Sequence, residues 1–192
     1  MCAGWVSLFF FFLYPLCNAI ASHRLKLFEF FHPLELRIPF IPEAIWLYLL
    51  LYLLFAVIPF HLDSHRINAL KKRLIGAIVL GAIMFLVFPA RLGFPRNVPD
   101  SPLYGPIYNF LFSIDRPHNL VPSLHVTFCA LILWALGGKW NYPAAKVFVN
   151  IVLALIGLST LLVHQHHLLD VVVGLCLGGL LHRCWRKGEP RA

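Results

Sequence analysis

Val163-His164-Gln165-His166-His167-Leu168-Leu169-Asp170-Val171 sets three histidines, a glutamine and a carboxylate between two long apolar runs with almost no loop around them. On its N-terminal side the chain is apolar from 144 to 163, and on its C-terminal side from 167 to 182. Two such runs joined by so short a turn predict a hairpin of two helices. An acidic residue held against hydrocarbon costs roughly 2.5 kcal/mol or more, so Asp170 is expected to have a functional reason to be there.

Similar apolar runs fall at about 3–20, 43–60, 74–90 and 121–138. Each is long enough, or nearly so, to cross a hydrocarbon core as a helix. The chain of 192 residues is 60% hydrophobic and 12% charged, with a mean hydropathy of +0.78. A soluble domain of this length could not hide so much apolar surface. The expectation is an all-α, polytopic membrane bundle of six transmembrane helices, forming a single integral membrane domain over 1–192. Pro15 interrupts the first run and is expected to kink it. That run carries no Lys or Arg between Met1 and Asn18, so it reads as a retained span and not as a cleaved signal.

The net charge of +8 does not point to nucleic acid, because the sixteen Lys and Arg lie in short connections and the tail. With the N-terminus inside, ten basic residues fall on the inner side (Arg66, Lys71, Lys72, Arg73, Lys139, Lys146, Arg183, Arg186, Lys187, Arg191) and six on the outer (Arg24, Lys26, Arg37, Arg91, Arg96, Arg116). The bias places both termini in the cytoplasm, with the 164–167 turn and the 91–120 segment on the external face. Cys2, Cys17, Cys129, Cys176 and Cys184 show no paired spacing and read as small apolar fillers. Residues 21–42 mix Phe28, Phe30, Phe31 and Leu36 with five charges and suggest an interfacial helix or re-entrant piece broken at Pro33. Residues 91–120, rich in proline, read as a functional loop of thirty residues without regular structure.

The chemistry concentrates at two places. On a helix, His166 and Asp170 are one turn apart on one face, and His167 also reaches Asp170 at a spacing of three. A carboxylate so placed fixes an imidazole tautomer and leaves the other ring nitrogen as nucleophile or base. Upstream, Pro122-Ser123-Leu124-His125 opens the fourth run. Proline suits a first helical turn, and the free N–H groups there, with Ser123, make an anion site. Both features fall on the external side, at the ends of neighbouring spans. The cluster His164, His166, His167 and Asp170 is also compatible with zinc or iron. A histidine relay in a transporter is the other class of reading, but polar residues at midplane depth are few. A catalytically inactive scaffold is a third.

In these blocks the sequence resembles the type 2 phosphatidic acid phosphatase and haloperoxidase-like superfamily, over about 80–182. Its pattern is Lys-x6-Arg-Pro, then Pro-Ser-Gly-His, then Ser-Arg-x5-His-x3-Asp. Here the second block is Pro122-Ser123-Leu124-His125, and the third runs from Ser159-Thr160 across five residues to His166 and three more to Asp170. Thr160 stands in place of the arginine, Leu124 in place of the glycine, and Asn109 in place of the lysine seven before Arg116-Pro117. The Leu124 block and the adjacent His166-His167 look most like the branch of inositol-phosphotransferase relatives and small bacterial lipid phosphatases.

The resemblance implies a metal-independent lipid phosphatase or phosphotransferase with no cofactor, whose partners are a lipid phosphate and the bilayer. It implies His166 as nucleophile oriented by Asp170, His125 as acid and base, and Ser123 and Ser159 as phosphate contacts. With Thr160 uncharged, positive charge must come from Arg91, Arg96 or Arg116, since arginine suits bidentate phosphate contacts. The setting implied is a bacterial plasma membrane, with the site on its external face.

Overall fold

The computed structural model describes residues 2–115, 117–138 and 142–186. Arg116, Lys139, Lys187 and Arg191, which entered the charge count above, lie outside the described residues. The chain is all-α. Its helices are α1 (Cys2–Ser22), the short α2 (Ile45–Tyr48), α3 (Leu50–His61), α4 (Ser64–Val87), α5 (Tyr104–Ile114), α6 (Leu124–Gly137), α7 (Pro143–Leu162) and α8 (Leu168–Arg186). Among the described residues, two stretches are long and apolar enough to cross a membrane, Pro42–His61 and Pro143–Leu162, each of 20 residues.

The middle of the bundle is α6. From Val126 to Leu133 it is buried without interruption, so it is apolar on every side, as a helix enclosed by others must be. It packs on α3, α4, α7 and α8, while α1 lies along α4. Local signals explain the ends. Ser123 caps α6 by accepting from Val126 N at 3.3 Å, and Asp63 caps α4 by accepting from Arg66 N at 2.9 Å. Pro143 opens α7, where its missing N–H has no intrahelical partner to lose.

Three local expectations change. The basic stretch 61–73 is not a connection, because α3 and α4 are joined by Leu62 and Asp63 alone and Lys71 to Arg73 already lie in α4, with Arg73 buried. Residues 21–42 form no interfacial helix. After α1 ends at Ser22 they make an extended strap up to Ile41, with a 3-10 turn, Pro33–Arg37, which Pro33 begins, His32 caps, and Glu35 closes by accepting from His32 N at 2.8 Å. Residues 91–120 are not structureless, since α5 buries Tyr108 and Leu111 against Ala44, Ile45, Tyr48 and Val163. Gly105 and Pro106 in its first turn masked it. Pro106 costs nothing there, where no intrahelical donor is needed.

The contact that sets the site is between α6 and α8. A Cβ on Gly174 would lie 2.6 Å from the Ser123 carbonyl oxygen, and one on Gly178 3.3 Å from the Ala130 side chain. Thr127 Oγ1 lies 2.9 Å from both the Ser123 and the Gly174 carbonyl oxygens and shares its proton between them. Gly174→Val is therefore expected to push α8 off α6. Overpacking of this kind costs about 1–3 kcal/mol. A lowered thermal midpoint of the purified protein in detergent, with Gly174→Ala intermediate, is the measurement that checks it.

Candidate active site

The turn between α7 and α8 is a helix stop built without glycine. Gln165 N donates to the Thr160 carbonyl at 3.0 Å and His164 N to the Leu161 carbonyl at 3.1 Å, the paired bonds of a Schellman motif. The position that glycine usually takes is His164, with φ of 55°. A left-handed residue carrying a Cβ costs roughly 1–2 kcal/mol, so other contacts must hold it. They are visible. The His164 ring stacks on Phe94 with centroids 4.0 Å apart, and its Nε2 donates to the Ile38 carbonyl at 3.0 Å.

The next residues begin α8. His166 N donates to the Thr160 carbonyl at 3.2 Å, so Thr160 anchors this turn by its backbone while its hydroxyl donates to Gly157 within α7. Asp170, 1% exposed, turns back on its own helix start. Its Oδ2 accepts from His167 N at 2.8 Å and faces His166 Nδ1 at 3.3 Å. A carboxylate at a helix N-terminus is stabilised by the dipole. The pairing leaves His166 Nε2 as the ring nitrogen without a carboxylate.

His167, the alternative partner by spacing, does something else. Its ring lies between Phe31 and Phe94, each with centroids 4.4 Å away. Its Nε2 accepts from Gly93 N at 3.0 Å, and its Nδ1 faces Glu35 Oε2 at 3.5 Å. Nε2 is hydrogen-bonded, and Nδ1 faces a carboxylate without a hydrogen bond. The geometry thus separates the adjacent histidines: His167 binds the strap and the 91–96 segment to α8, and His166 is paired with Asp170. Because the rings of His164 and His167 turn to Ile38 and to Gly93, the four residues do not converge as metal ligands would.

His125 comes to the same place from α6. Ser123 N donates to the Asp170 carbonyl at 3.0 Å, which ties the start of α6 to the start of α8. His125 interacts electrostatically with His166, and the Tyr48 backbone hydrogen-bonds its ring. The ring stacks on Tyr48 with centroids 4.0 Å apart. Its Nε2 is buried and has no hydrogen-bond partner among the described residues.

The expected phosphate contacts are less uniform. Ser123 is fully buried, with its hydroxyl accepting the cap bond. Ser159 is also fully buried, and its hydroxyl donates to Ile156 at 2.7 Å. Arg96 bonds the Asp115 carbonyl, lies over the Phe112 ring, and interacts electrostatically with Tyr48, the residue stacked on His125. Arg91 points elsewhere. It pairs with Glu29 at 2.6 Å, both side chains half-exposed, on a surface groove of about 550 Å³ lined by residues 24–29. Arg116 lies outside the described residues.

A model of the PAP2 superfamily matches residues 72–190, more than half of the chain and all of the site except the strap and Tyr48. The chain belongs to the PAP2 superfamily. None of the curated proteins and none of the solved structures compared with it gives a match. PAP2 enzymes are phosphatases in type, and in this PAP2 chain His166 faces Asp170 at 3.3 Å and interacts electrostatically with His125.

The sequence reading missed Glu35 and Tyr48, because each touches the site across more than seventy residues. Glu35 bridges two helix starts, with Oε1 on His32 N and Oε2 on Leu168 N, both at 2.8 Å. Burial raises its pKa, but these two N–H groups and His167 outweigh that and hold it below the usual carboxylate value. The reading also passed over Gln165, whose buried amide has no partner among the described residues.

Burial holds His167 and His164 below the ordinary histidine pKa, against the pull of Asp170 and Glu35 on the former and of the Ile38 carbonyl on the latter. A group whose folded pKa is depressed gives stability that is present above its unfolded pKa and lost as pH falls toward the folded value. The thermal midpoint is therefore expected to fall on acidification below about 6.5, the unperturbed histidine value. Glu35 adds a second loss nearer pH 4. Thermal melts across pH should show the first loss reduced in His167→Asn.

Proposed function

We propose that the protein is a membrane lipid phosphate phosphatase that hydrolyses a phosphomonoester or pyrophosphate through a phosphohistidine. The observation that carries this reading is the pairing of His166 Nδ1 with Asp170 at 3.3 Å, with His125 on the facing helix. The Nδ1–H donated to the carboxylate leaves a lone pair on Nε2. His166 Nε2 attacks phosphorus, the bond to the leaving oxygen breaks, and His125 gives that oxygen its proton. His125 then takes a proton from water, whose oxygen attacks the phosphohistidine and returns His166 to its starting state. Phosphate binds at the N-terminus of α6, where helix geometry leaves the Leu124 and His125 N–H groups without intrahelical partners. Arg96 supplies nearby positive charge, with Arg116, Ser123 and Ser159 as further contacts, whereas Arg91, paired with Glu29 on its own groove, takes no part.

The six apolar runs are spans in this reading, with both termini cytoplasmic and the site at the external headgroup layer. It is supported by the exposed apolar side chains that line α1, α3, α4 and α7, among them Phe11, Leu53, Phe60, Ile83, Phe148 and Ile151. A bundle of this size that showed such surface to water would aggregate.

His166→Ala should release no phosphate from lipid phosphates in detergent micelles while remaining folded, and retained turnover would remove it as nucleophile. His125→Ala should slow turnover about 10²- to 10⁴-fold, the usual worth of a general acid and base. It should also accumulate acid-labile phosphohistidine. Activity should survive excess EDTA, and loss restored by zinc would shift the reading to a metal enzyme.

A further inference from the structure

Beside His125 lies a second buried cluster, of which the mechanism above uses only Arg96. Tyr14 OH donates to Asp115 Oδ1 at 2.5 Å, and Asn119 Nδ2 donates to the Tyr14 carbonyl at 2.8 Å. Arg96 donates to the Asp115 carbonyl, and both Arg96 and Asp115 interact electrostatically with Tyr48, whose ring covers His125. Asn18 follows Tyr14 by one turn of α1 and so shares its face. Asn18 and Asn119 are 3% and 2% exposed. Among the described residues, Asn18 Oδ1, Asn119 Oδ1 and Arg96 Nε are buried with no hydrogen-bond partner, as is His125 Nε2.

Orphaned buried groups are costly, so several along one chain of contacts through Tyr14, Asp115 and Tyr48 point to a ligand that satisfies them. Their chemistry is specific. Two amide oxygens ask for O–H or N–H donors, and one guanidinium N–H asks for an oxygen. The one cation and one anion of the cluster among the described residues lie side by side, Arg96 donating to the main-chain carbonyl of Asp115 and the Asp115 carboxylate accepting from Tyr14. An ammonium headgroup would meet Arg96, whereas an uncharged hydroxyl both donates and accepts.

The place is equally specific. His125 protonates the leaving oxygen, so the alcohol that departs lies on the His125 side of phosphorus. Given the proposed phosphatase, on which this step rests, we infer that Asn18, Asn119 and Arg96 form a subsite for a hydroxyl-bearing leaving alcohol. The substrate class is a lipid whose terminal phosphate sits on a polyol headgroup, in preference to a phosphate borne directly on a diacylglycerol or a polyprenyl chain.

The test is phosphate release by the full chain in detergent micelles from phosphatidylglycerophosphate and from its analogue with a propane-1,3-diol headgroup, which lacks the free hydroxyl. The parent protein should lose about tenfold in kcat/KM on the analogue, the worth of roughly one buried hydrogen bond. Asn18→Leu and Asn119→Leu should turn over the analogue as the parent does and show no such preference. Asn18→Leu removes a buried orphan and should melt no lower than the parent, so it carries the test where Asn119→Leu fails to fold. Equal rates on both lipids, or an undiminished preference in a folded Asn18→Leu, would overturn the subsite and leave the phosphatase standing. Release from neither lipid, nor from phosphatidic acid or polyprenyl pyrophosphate, would overturn the phosphatase reading and this one with it.

Discussion

The close approach of α6 and α8 is the constraint on which the site depends. The histidines and the carboxylate sit at the starts of two helices that begin more than forty residues apart along the chain, and neither helix alone assembles them. Gly174 and Gly178 remove the side chains that would hold the helices apart, and Thr127 fills the seam with a hydroxyl that satisfies a carbonyl on each side. The bond from Ser123 N to the Asp170 carbonyl then fixes the axial register. A one-residue slip along α8 would turn Asp170 by about 100° around the helix axis and lose its hold on His166.

Around that seam, the start of α8 is held by two carboxylates with different tasks. Asp170 caps the helix from within and orients His166, while Glu35 reaches Leu168 N from the strap and faces His167. Phe31, His167, Phe94, His164 and Phe40 stack in sequence, with successive centroids 4.4, 4.4, 4.0 and 5.2 Å apart. The stack joins three segments that share no secondary structure. It also explains how a non-glycine residue can occupy the left-handed position at 164, since the ring contacts and the Ile38 bond offset the backbone cost.

The sequence was most legible where spacing is a geometric fact. His166 and Asp170 at i and i+4 must share a face once the segment is helical, and Pro122-Ser123 at the head of an apolar run has one obvious reading as a cap. The apolar runs gave the positions of α1, α3, α4, α6, α7 and α8 because burial demands them. Illegible were the elements fixed by distant partners. α5 begins with Gly105-Pro106 and was read as loop, since only Tyr108 and Leu111 meeting Ala44 and Tyr48 reveal its buried face. Glu35 looked like one charge among five in an amphipathic stretch, and nothing local announces that it caps a helix 133 residues away. Asn18 and Asn119 are single amides whose buried oxygens have no hydrogen-bond partner among the described residues, a property that belongs to the fold and not to the string.

Thr160 in place of an arginine raises the question of what balances a phosphate here. Thr160 has a structural task, since its carbonyl receives both Gln165 N and His166 N and so places His166. An arginine side chain is not required for that, but its charge is missing from the pocket. On the proposed reading two features of the chain compensate. Because Ser123 N is committed to Asp170 and Pro122 has none, the unpartnered donors at the head of α6 are those of Leu124 and His125, concentrated on the phosphate. Arg96 interacts electrostatically with Tyr48, the residue stacked on His125, and although burial pulls its pKa below the usual value, a guanidinium stays charged in a protein. A positive charge displaced toward the leaving-group side stabilises the departing oxygen more than the attacking nitrogen. That bias suits a substrate whose leaving alcohol, more than its phosphate, distinguishes it.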